Sequence, residues 1–509
     1  MLQIRHLTIV HRKDLRTILD DVSFVLNPGD KAVVVGEEGN GKSTLLKWIY
    51  DPALVEPYAD AEGIRTLLGE TMGYLPQELD ESDRDRTVYE YLADRDSFLE
   101  ASPRTLAALA GQLGLPVDFL YSDQTMGSLS GGERVKLQMA ALLLEQPDIL
   151  LLDEPSNDID LDTLEWLEEL IRGWMGSVLF ISHDETLIER TANRVILLEQ
   201  LRRKTESRFT VANLPYAQFM EERSSSFEKQ GQLAISEQRE ERKAMEKFRR
   251  IQERVEHEQE TISRQDPHGG RLLKKKMASV KAMERRYARE HAEMTEYPTY
   301  EQPIVIRFNR QRPLSAGKTV LDLQLPELRC GEKVLARNVE LKVRGPEKVG
   351  IVGKNGAGKT TLLREILALL RQREDLHVCY MPQNYEEQLP MAQTPVDYLV
   401  PSGDKEERVF AQNCLGALRY TFDEMGHPIR ALSGGQKATL LLLKLSMEDA
   451  DVLILDEPTR NFSPLSGPEV RAMLRSFEGA IISVSHDRKY LSEVCDRVVR
   501  LTEQGLEPG

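Results

Sequence analysis

Apolar positions along the chain fall into two patterns. The first is a set of short unbroken runs that end abruptly at glycine or at polar residues: KAVVVG at 31–36, ILLLDE at 149–154, VLFISHDE at 178–185, KVGIVG at 348–353 and LILDEP at 453–458. Aliphatic runs of this length without alternation predict parallel strands buried on both faces, hence an α/β fold. The second pattern steps at helical spacing. Met245, Phe248, Ile251, Val255 and Ile262 are separated by 3, 3, 4 and 7 residues, and Leu273, Met277, Val280, Met283, Tyr287 and Met294 by 4, 3, 3, 4 and 7. Asp266-Pro267-His268-Gly269-Gly270 interrupts the two stripes and Pro298 ends the second, so a helical hairpin is expected within 214–296. A second arm over 271–294 would be about 36 Å long at 1.5 Å per residue.

The strand runs belong to an internal repeat. Ser130, Glu154 and His183 recur as Ser433, Glu457 and His486, each displaced by 303 residues, and LSGGE at 129–133 recurs as LSGGQ at 432–436. Further upstream the offset drifts, to 306 between Gln77 and Gln383 and to 317 between Lys42 and Lys359. The repeat predicts a first domain over 1–200, a helical linker over 201–300 and a second domain over 301–509.

Each copy carries phosphate chemistry. Gly36-Glu37-Glu38-Gly39-Asn40-Gly41-Lys42-Ser43 matches GxxxxGK[ST] between a strand run and a helix start. The glycines let backbone N–H groups turn toward phosphate oxygens, and the helix N-terminus adds partial positive charge. Lys42 would reach the β/γ-phosphates, Ser43 would ligate Mg²⁺, and Thr44 follows in the helix. Asp153 ends its strand at the carboxyl edge, where it could hold the metal, with Glu154 beside it as general base for water. His183 and Gln77 also follow strand-like segments, as a γ-phosphate contact and as a sensor of metal or water. A lone histidine is more often structural; its position at a strand end favours the functional reading. The second copy offers Gly353, Asn355, Gly356, Gly358, Lys359, Thr360, Thr361, Gln383, Asp456, Glu457 and His486.

Composition sharpens the outline. Net charge is −16, yet residues 221–300 hold 18 Lys/Arg against 16 Asp/Glu, a net of +2 that leaves −18 on the rest. Within 271–289, Arg271, Lys274, Lys275, Lys276, Lys281, Arg285, Arg286 and Arg289 face a single acid, Glu284. A basic prong on an acidic body orients toward a polyanion, and lysines there would hold phosphates without reading sequence. A plain spacer or a dimerising coil is the alternative. Four scattered cysteines without CxxC spacing suit a reducing cytosol and argue against a metal site. The charged N-terminus is unlike a signal peptide, and no run approaches the roughly 18 apolar residues of a membrane helix, so a cytoplasmic protein is expected.

The motifs together resemble the ATP-binding cassette family. The resemblance implies a Walker A pair Lys42/Ser43, a Q-loop Gln77, a signature at Leu129–Glu133, Walker B Asp153, catalytic Glu154, a D-loop from Ser156 to Asp160 and switch His183, with Thr360, Gln383, Asp456, Glu457 and His486 in the second cassette. It also implies head-to-tail pairing inside one monomer. Lys42 and Glu154 would face Ser433, Gly434 and Gly435, and Lys359 and Glu457 would face Ser130, Gly131 and Gly132; both sites would bind ATP and Mg²⁺. Three departures stand out: Glu37 and Glu38 in the first P-loop, Ser463 where the first D-loop has Asp160, and no evident adenine-stacking aromatic, His11 and Cys330 falling near those places. Two cassettes, a helical linker and no membrane segment are similar to the ABC-F ribosome-associated ATPases. That implies entry into the E site of the 70S ribosome, with the linker directed at 23S rRNA, P-site tRNA and the peptidyl-transferase centre. The string EPTRNFSPLS at 457–466 is similar to resistance members of Firmicutes, which displace lincosamides, pleuromutilins and streptogramin A. The alternatives are a housekeeping ABC-F factor and a twin-cassette transporter ATPase. A DNA-repair ATPase would need a split cassette or zinc cysteines, and the iron–sulfur recycling ATPase an N-terminal cysteine cluster.

Overall fold

The computed structural model describes residues 1–201, 206–261, 313–418 and 420–509, together with Lys275, Ala278, Ser279, Ala282 and Phe308. One compact unit comprises Met1–Tyr216 and Glu301–Gly509, the other Ala217–Tyr300.

The first cassette contributes β1 (Leu2–His11), β2 (Thr17–Leu26), β3 (Lys31–Val35), β4 (Ala59–Leu67), β5 (Met72–Leu75), β6 (Ile149–Asp153), β7 (Ser177–Ile181), β8 (Arg194–Leu201) and β9 (Glu206–Ala212). Its main sheet has the order β5-β6-β7-β3-β8-β9. Neighbours pair in parallel except β9, which is antiparallel to β8. Every residue of β3, β6 and β7 is buried, which is why these strands read as unbroken apolar runs. The second cassette contributes β10 (Thr319–Cys330), β11 (Lys333–Arg344), β12 (Lys348–Val352), β13 (Val378–Met381), β14 (Val452–Asp456), β15 (Ala480–Val484), β16 (Arg497–Thr502) and β17 (Gly505–Pro508). Its sheet, β13-β14-β15-β12-β16-β17, repeats the first strand for strand. In both, the strands that end at the P-loop, the acidic pair and the histidine are adjacent, so their loops converge at one carboxyl edge.

The drifting offset has a structural cause. Among the described residues, the front sheet of the first cassette has three antiparallel strands, β2-β1-β4, and that of the second has two, β10-β11. Strand β4 lies between Lys42 and Gln77 and accounts for the 11-residue difference between the two upstream offsets, 317 and 306. The first cassette also extends past the expected edge at 200, because β9 completes its sheet and the compact unit closes only at Tyr216.

The second unit is represented mainly by one helix, Tyr216–Thr261, of 46 residues, or about 69 Å. Its described surface is polar, fastened by pairs one turn apart such as Arg249–Glu253 at 3.1 Å, and Leu233 and Met245 lie exposed on it. The second arm and the tip expected at 262–274 fall outside the described residues, apart from short helical pieces that include Lys275.

The cassettes meet through an exchange of charge. Arg471 donates to both carboxylate oxygens of Glu185, at 2.6 and 3.1 Å, and to Glu493 at 2.8 Å. Arg488 donates to Glu168 and, at 2.9 Å, to Asp184. Lys489 pairs with Glu189 and, at 3.4 Å, with Glu185. At the repeat offset of 303, Glu168 corresponds to Arg471 and Glu185 to Arg488. The same two positions are acidic in one cassette and basic in the other, and each acid meets the base of the opposite pair. Two first cassettes placed face to face would bring acids together, and two second cassettes bases. With 4% and 7% of the Arg471 and Glu185 side chains exposed, either charge left alone would be stranded away from water. Arg471→Met should therefore lower stability by about 3–5 kcal/mol, and adding Glu185→Leu should recover about 1–3 kcal/mol. Urea unfolding checks this, and a double variant no more stable than the single one would refute the exchange.

Candidate functional site

The two P-loops are built alike. Each following helix, Lys42–Tyr50 and Lys359–Leu370, begins at a glycine in the left-handed region, Gly41 at φ 87° and Gly358 at φ 97°, and neither has a side-chain cap. The first N–H groups are thus left for an anion. Both lysines fold back onto their own loops: Lys42 Nζ donates to Gly36 O at 2.8 Å and Glu37 O at 3.1 Å, and Lys359 Nζ to Gly353 O at 2.8 Å and Lys354 O at 2.9 Å. A phosphate would displace these carbonyls as partners.

Asp153 ends β6, accepting from Ser43 Oγ at 2.9 Å and from Tyr74 at 3.2 Å. Burial raises its pKa to about 6, against the Ser43 hydrogen bond and with help from Glu154. Asp456 is likewise raised by burial, and its Oδ2 is buried without a hydrogen-bond partner among the described residues. An orphaned hard oxygen beside the P-loop threonine is a donor set suited to a small divalent cation.

The glutamates one residue further stand in the left-handed region, Glu154 at φ 51° and Glu457 at φ 53°, a conformation that strains a residue with a side chain. From there their environments diverge. Glu154 accepts from Gln77 Nε2 at 2.9 Å and from Asn157, and pairs with His183 Nε2 at 3.1 Å. Burial opposes its charge, but the His183 hydrogen bond and nearby cations prevail and hold its pKa at about 2. Among the described residues Glu457 accepts from the backbone N–H of His486 at 3.2 Å, with the ring at 3.5 Å. Burial and Asp456 push it up to about 8. Burial and Lys359 lower His486 to about 4, and its buried Nδ1 has no partner among the described residues. In the first cassette the corresponding Nδ1 of His183 bonds the Phe462 carbonyl of the opposite cassette at 2.9 Å.

The signature segments are capping boxes. Ser130 caps Gly131–Leu144 with Glu133 returning the bond, and Ser433 caps Gly434–Met447 with Gln436. Their glycines also serve their own cassette: a Cβ at Gly131 would lie 2.0 Å from Asp158 O. Across the interface, Asn355 of the second P-loop donates to Asp158 O at 2.6 Å and Arg460 pairs with Asp158 at 2.8 Å. Ser130, Gly131, Asn355, Gly356, Gly358, Lys359, Thr360, Thr361, Gln383, Asp456, Glu457 and His486 line one cavity of about 730 Å³, a size suited to a nucleotide. Of the first signature, Ser130 and Gly131 share this cavity with Lys359 and Glu457, whereas Gly132 is not among its lining residues. Cys330 lines the same cavity with Lys333 and Leu335, while His11 is held by Asp14 at 2.7 Å.

At the other site Ser433 keeps its cap, and Gly434 and Gly435 donate to Glu38 of the first P-loop. Both P-loop acids reach the opposite cassette, Glu37 by accepting from Ser466 Oγ at 2.6 Å, while Glu38 remains exposed. Gly39 and Thr44 lie on the loop and in the first helical turn. Gln77 engages Glu154 directly. Sequence reasoning missed Tyr74, Asn157 and the Phe462 carbonyl, which support Asp153, Glu154 and His183. Of the basic residues, Lys275 is helical and exposed, whereas Arg271, Lys274, Lys276, Lys281, Arg285 and Arg286 lie outside the described residues. The two histidines should differ in weight. With the second site silenced by Glu457→Gln, His183→Ala should lower the remaining ATP turnover about 10²-fold. With Glu154→Gln in place, His486→Ala should lower it less. Phosphate release measures both, and the reverse order would refute the asymmetry.

The sequence model of the ABC transporter family matches residues 19–157 and 336–460, more than half of the chain. The chain is 27% identical to the probable ATP-binding protein YheS of Escherichia coli K12, covering 98% of this chain and 78% of that one. It is also 27% identical to the ribosome protection protein VmlR of Bacillus subtilis, covering 97% and 85%. The fold matches an archaeal ribosome recycling factor, aABCE1, crystallised with the stalk protein aP1, at TM-score 0.61 and 18% identity over 99% of this chain and 90% of that one. Among the described residues no helix is long and apolar enough to cross a membrane. With two ATP-binding cassettes that meet at a shared interface, the chain belongs to the ATP-binding cassette family as a tandem-cassette ABC-F protein.

Proposed function

We propose that this protein is a cytoplasmic, ribosome-binding ATPase that closes on ATP to occupy the ribosomal E site and opens on hydrolysis to leave it. The interlocked ATP sites carry the reading: each P-loop contacts the opposite cassette, so what a P-loop binds acts directly on the contact between cassettes. Its likeness to a ribosome protection protein over nearly its whole length supports the ribosome as partner. The long helix and the basic run at 271–289 support a linker directed at 23S rRNA, P-site tRNA and the peptidyl-transferase centre.

In this reading Lys42 and Lys359 exchange their loop carbonyls for the β/γ-phosphates. Ser43 and Asp153, with Gln77, and Thr360 and Asp456, with Gln383, would hold Mg²⁺, which neutralises phosphate charge when bound. Glu154 and Glu457 orient and deprotonate the attacking water, and His183 and His486 fix those glutamates and reach the γ-phosphate. The proposed consequence in a cell is resistance to 50S-directed drugs of the lincosamide, pleuromutilin and streptogramin A type.

Glu154→Gln with Glu457→Gln should trap the protein on 70S ribosomes in ATP, seen as co-sedimentation; absence of ATP-dependent association would overturn the ribosome reading. Neutralising Lys274, Lys275 and Lys276 should weaken that association and leave ribosome-free ATPase unchanged, and an equal loss of both would make the prong structural. In a sensitive host, unchanged inhibitory concentrations across the three drug classes would favour a housekeeping translation factor.

A further inference from the structure

The two P-loops differ at one position in a way that changes what the opposite signature helix meets. Glu38 stands two residues after Gly36, as Asn355 stands two residues after Gly353. Asn355 turns its amide to the backbone of the first D-loop, at Asp158 O, and its N–H faces Asp160 Oδ2 at 3.5 Å. Glu38 instead spreads its carboxylate over the start of the Gly434–Met447 helix, accepting from Gly434 N at 3.2 Å and from Gly435 N. A Cβ on Gly435 would lie 2.6 Å from Glu38 Oε2 and 2.9 Å from the Asn461 carbonyl oxygen, and it is the backbone contact that cannot give way.

The surrounding residues have changed with it. Where the first D-loop presents the carboxylate of Asp160, the second presents Ser463, which is buried. An aspartate there would add a third acid beside Glu37 and Glu38. Ser466, on the same loop, donates to Glu37, and Ser463 Oγ accepts from Ser466 N at 3.2 Å. At the second site the P-loop donates and the D-loop accepts; at the first the acids are on the P-loop and the hydroxyl donor is opposite. Two backbone N–H groups at a helix N-terminus, with a planar anion across them, form the arrangement that a terminal phosphate of a bound nucleotide would use.

We propose that Glu38 is an internal stand-in for the γ-phosphate, latching the first ATP site shut without nucleotide, and that ATP must expel it to bind there. The first site is then the weaker ATP site, selectively so for a nucleotide with a γ-phosphate, while the second, open around its cavity, fills first. This inference rests on the two-cassette ATP site and is independent of ribosome binding, which plays no part in its test.

The test uses the full chain with Lys359→Ala, so that binding reports the first site, and titrates Mg²⁺ with a non-hydrolysable ATP analogue and with ADP by calorimetry. Glu38→Asn, which installs the residue of the second P-loop, should tighten the ATP analogue at least tenfold and alter ADP less than twofold. Glu38→Gln, of equal length and without charge, should give a smaller gain in the same direction. Unchanged affinity for the ATP analogue in both variants would overturn the proposal. An equal gain for ADP would also overturn it, because it would make Glu38 a general repulsive charge rather than an occupant of the γ-phosphate seat.

Discussion

The pairing of unlike cassettes is the constraint from which the rest follows. Glu168 and Glu185 on one side meet Arg488 and Arg471 on the other, each charge standing where the repeat has its opposite. A buried ion pair is a poor source of net stability, because desolvation cancels much of the attraction. Its effect here is selective: it penalises every pairing except first against second. An intramolecular pair also forms at high effective concentration, so modest attraction suffices and the interface can open again.

Once the cassettes are unlike at their contact, they are free to be unlike at their ATP sites. The backbone keeps them parallel: both glutamates sit in the same strained conformation at the end of the same strand. The differences lie in side chains around that frame. Asn157 supports Glu154, whereas its counterpart at the 303 offset, Arg460, leaves Glu457 and reaches across to Asp158. His183 ties its glutamate to the opposite D-loop, and His486 makes no such tie. Burial is outweighed at Glu154 by the His183 hydrogen bond and prevails at Glu457, so the two carboxyl groups are shifted in opposite directions.

Much of this was legible in the sequence because the signals are local. A strand buried on both faces must be apolar at every position, as β3, β6 and β7 are. A P-loop packs its phosphate ligands into eight consecutive residues, 36–43. The signature could also have been read as a capping box, since SGGE and SGGQ have the required spacing. What escaped were contacts between residues far apart in the chain. Glu38 and Gly434 are separated by 396 positions, and nothing around either names the other. The charge exchange was in principle readable, by laying residue 168 over 471 and 185 over 488 and noting the change of sign. The adenine contacts stayed opaque for a different reason: among the described residues lining the cavity, Cys330 included, there is no aromatic for pattern reading to recognise.

The 303-residue offset acquires a mechanical meaning from the same geometry. The segment from signature to switch histidine contains two elements that serve the opposite site, the signature helix and the D-loop, and two that serve its own, the acidic pair and the histidine. Its internal length therefore fixes the distance between the two ATP sites, and changing it in one copy would pull one site out of register whenever the other closed. The stretch from P-loop to Q-loop serves only its own site, so the first cassette could accommodate β4 without disturbing the partner. Conserved spacing in one segment and drift in the other are what a pair of shared sites requires, and two independent cassettes would have no reason to keep that distinction.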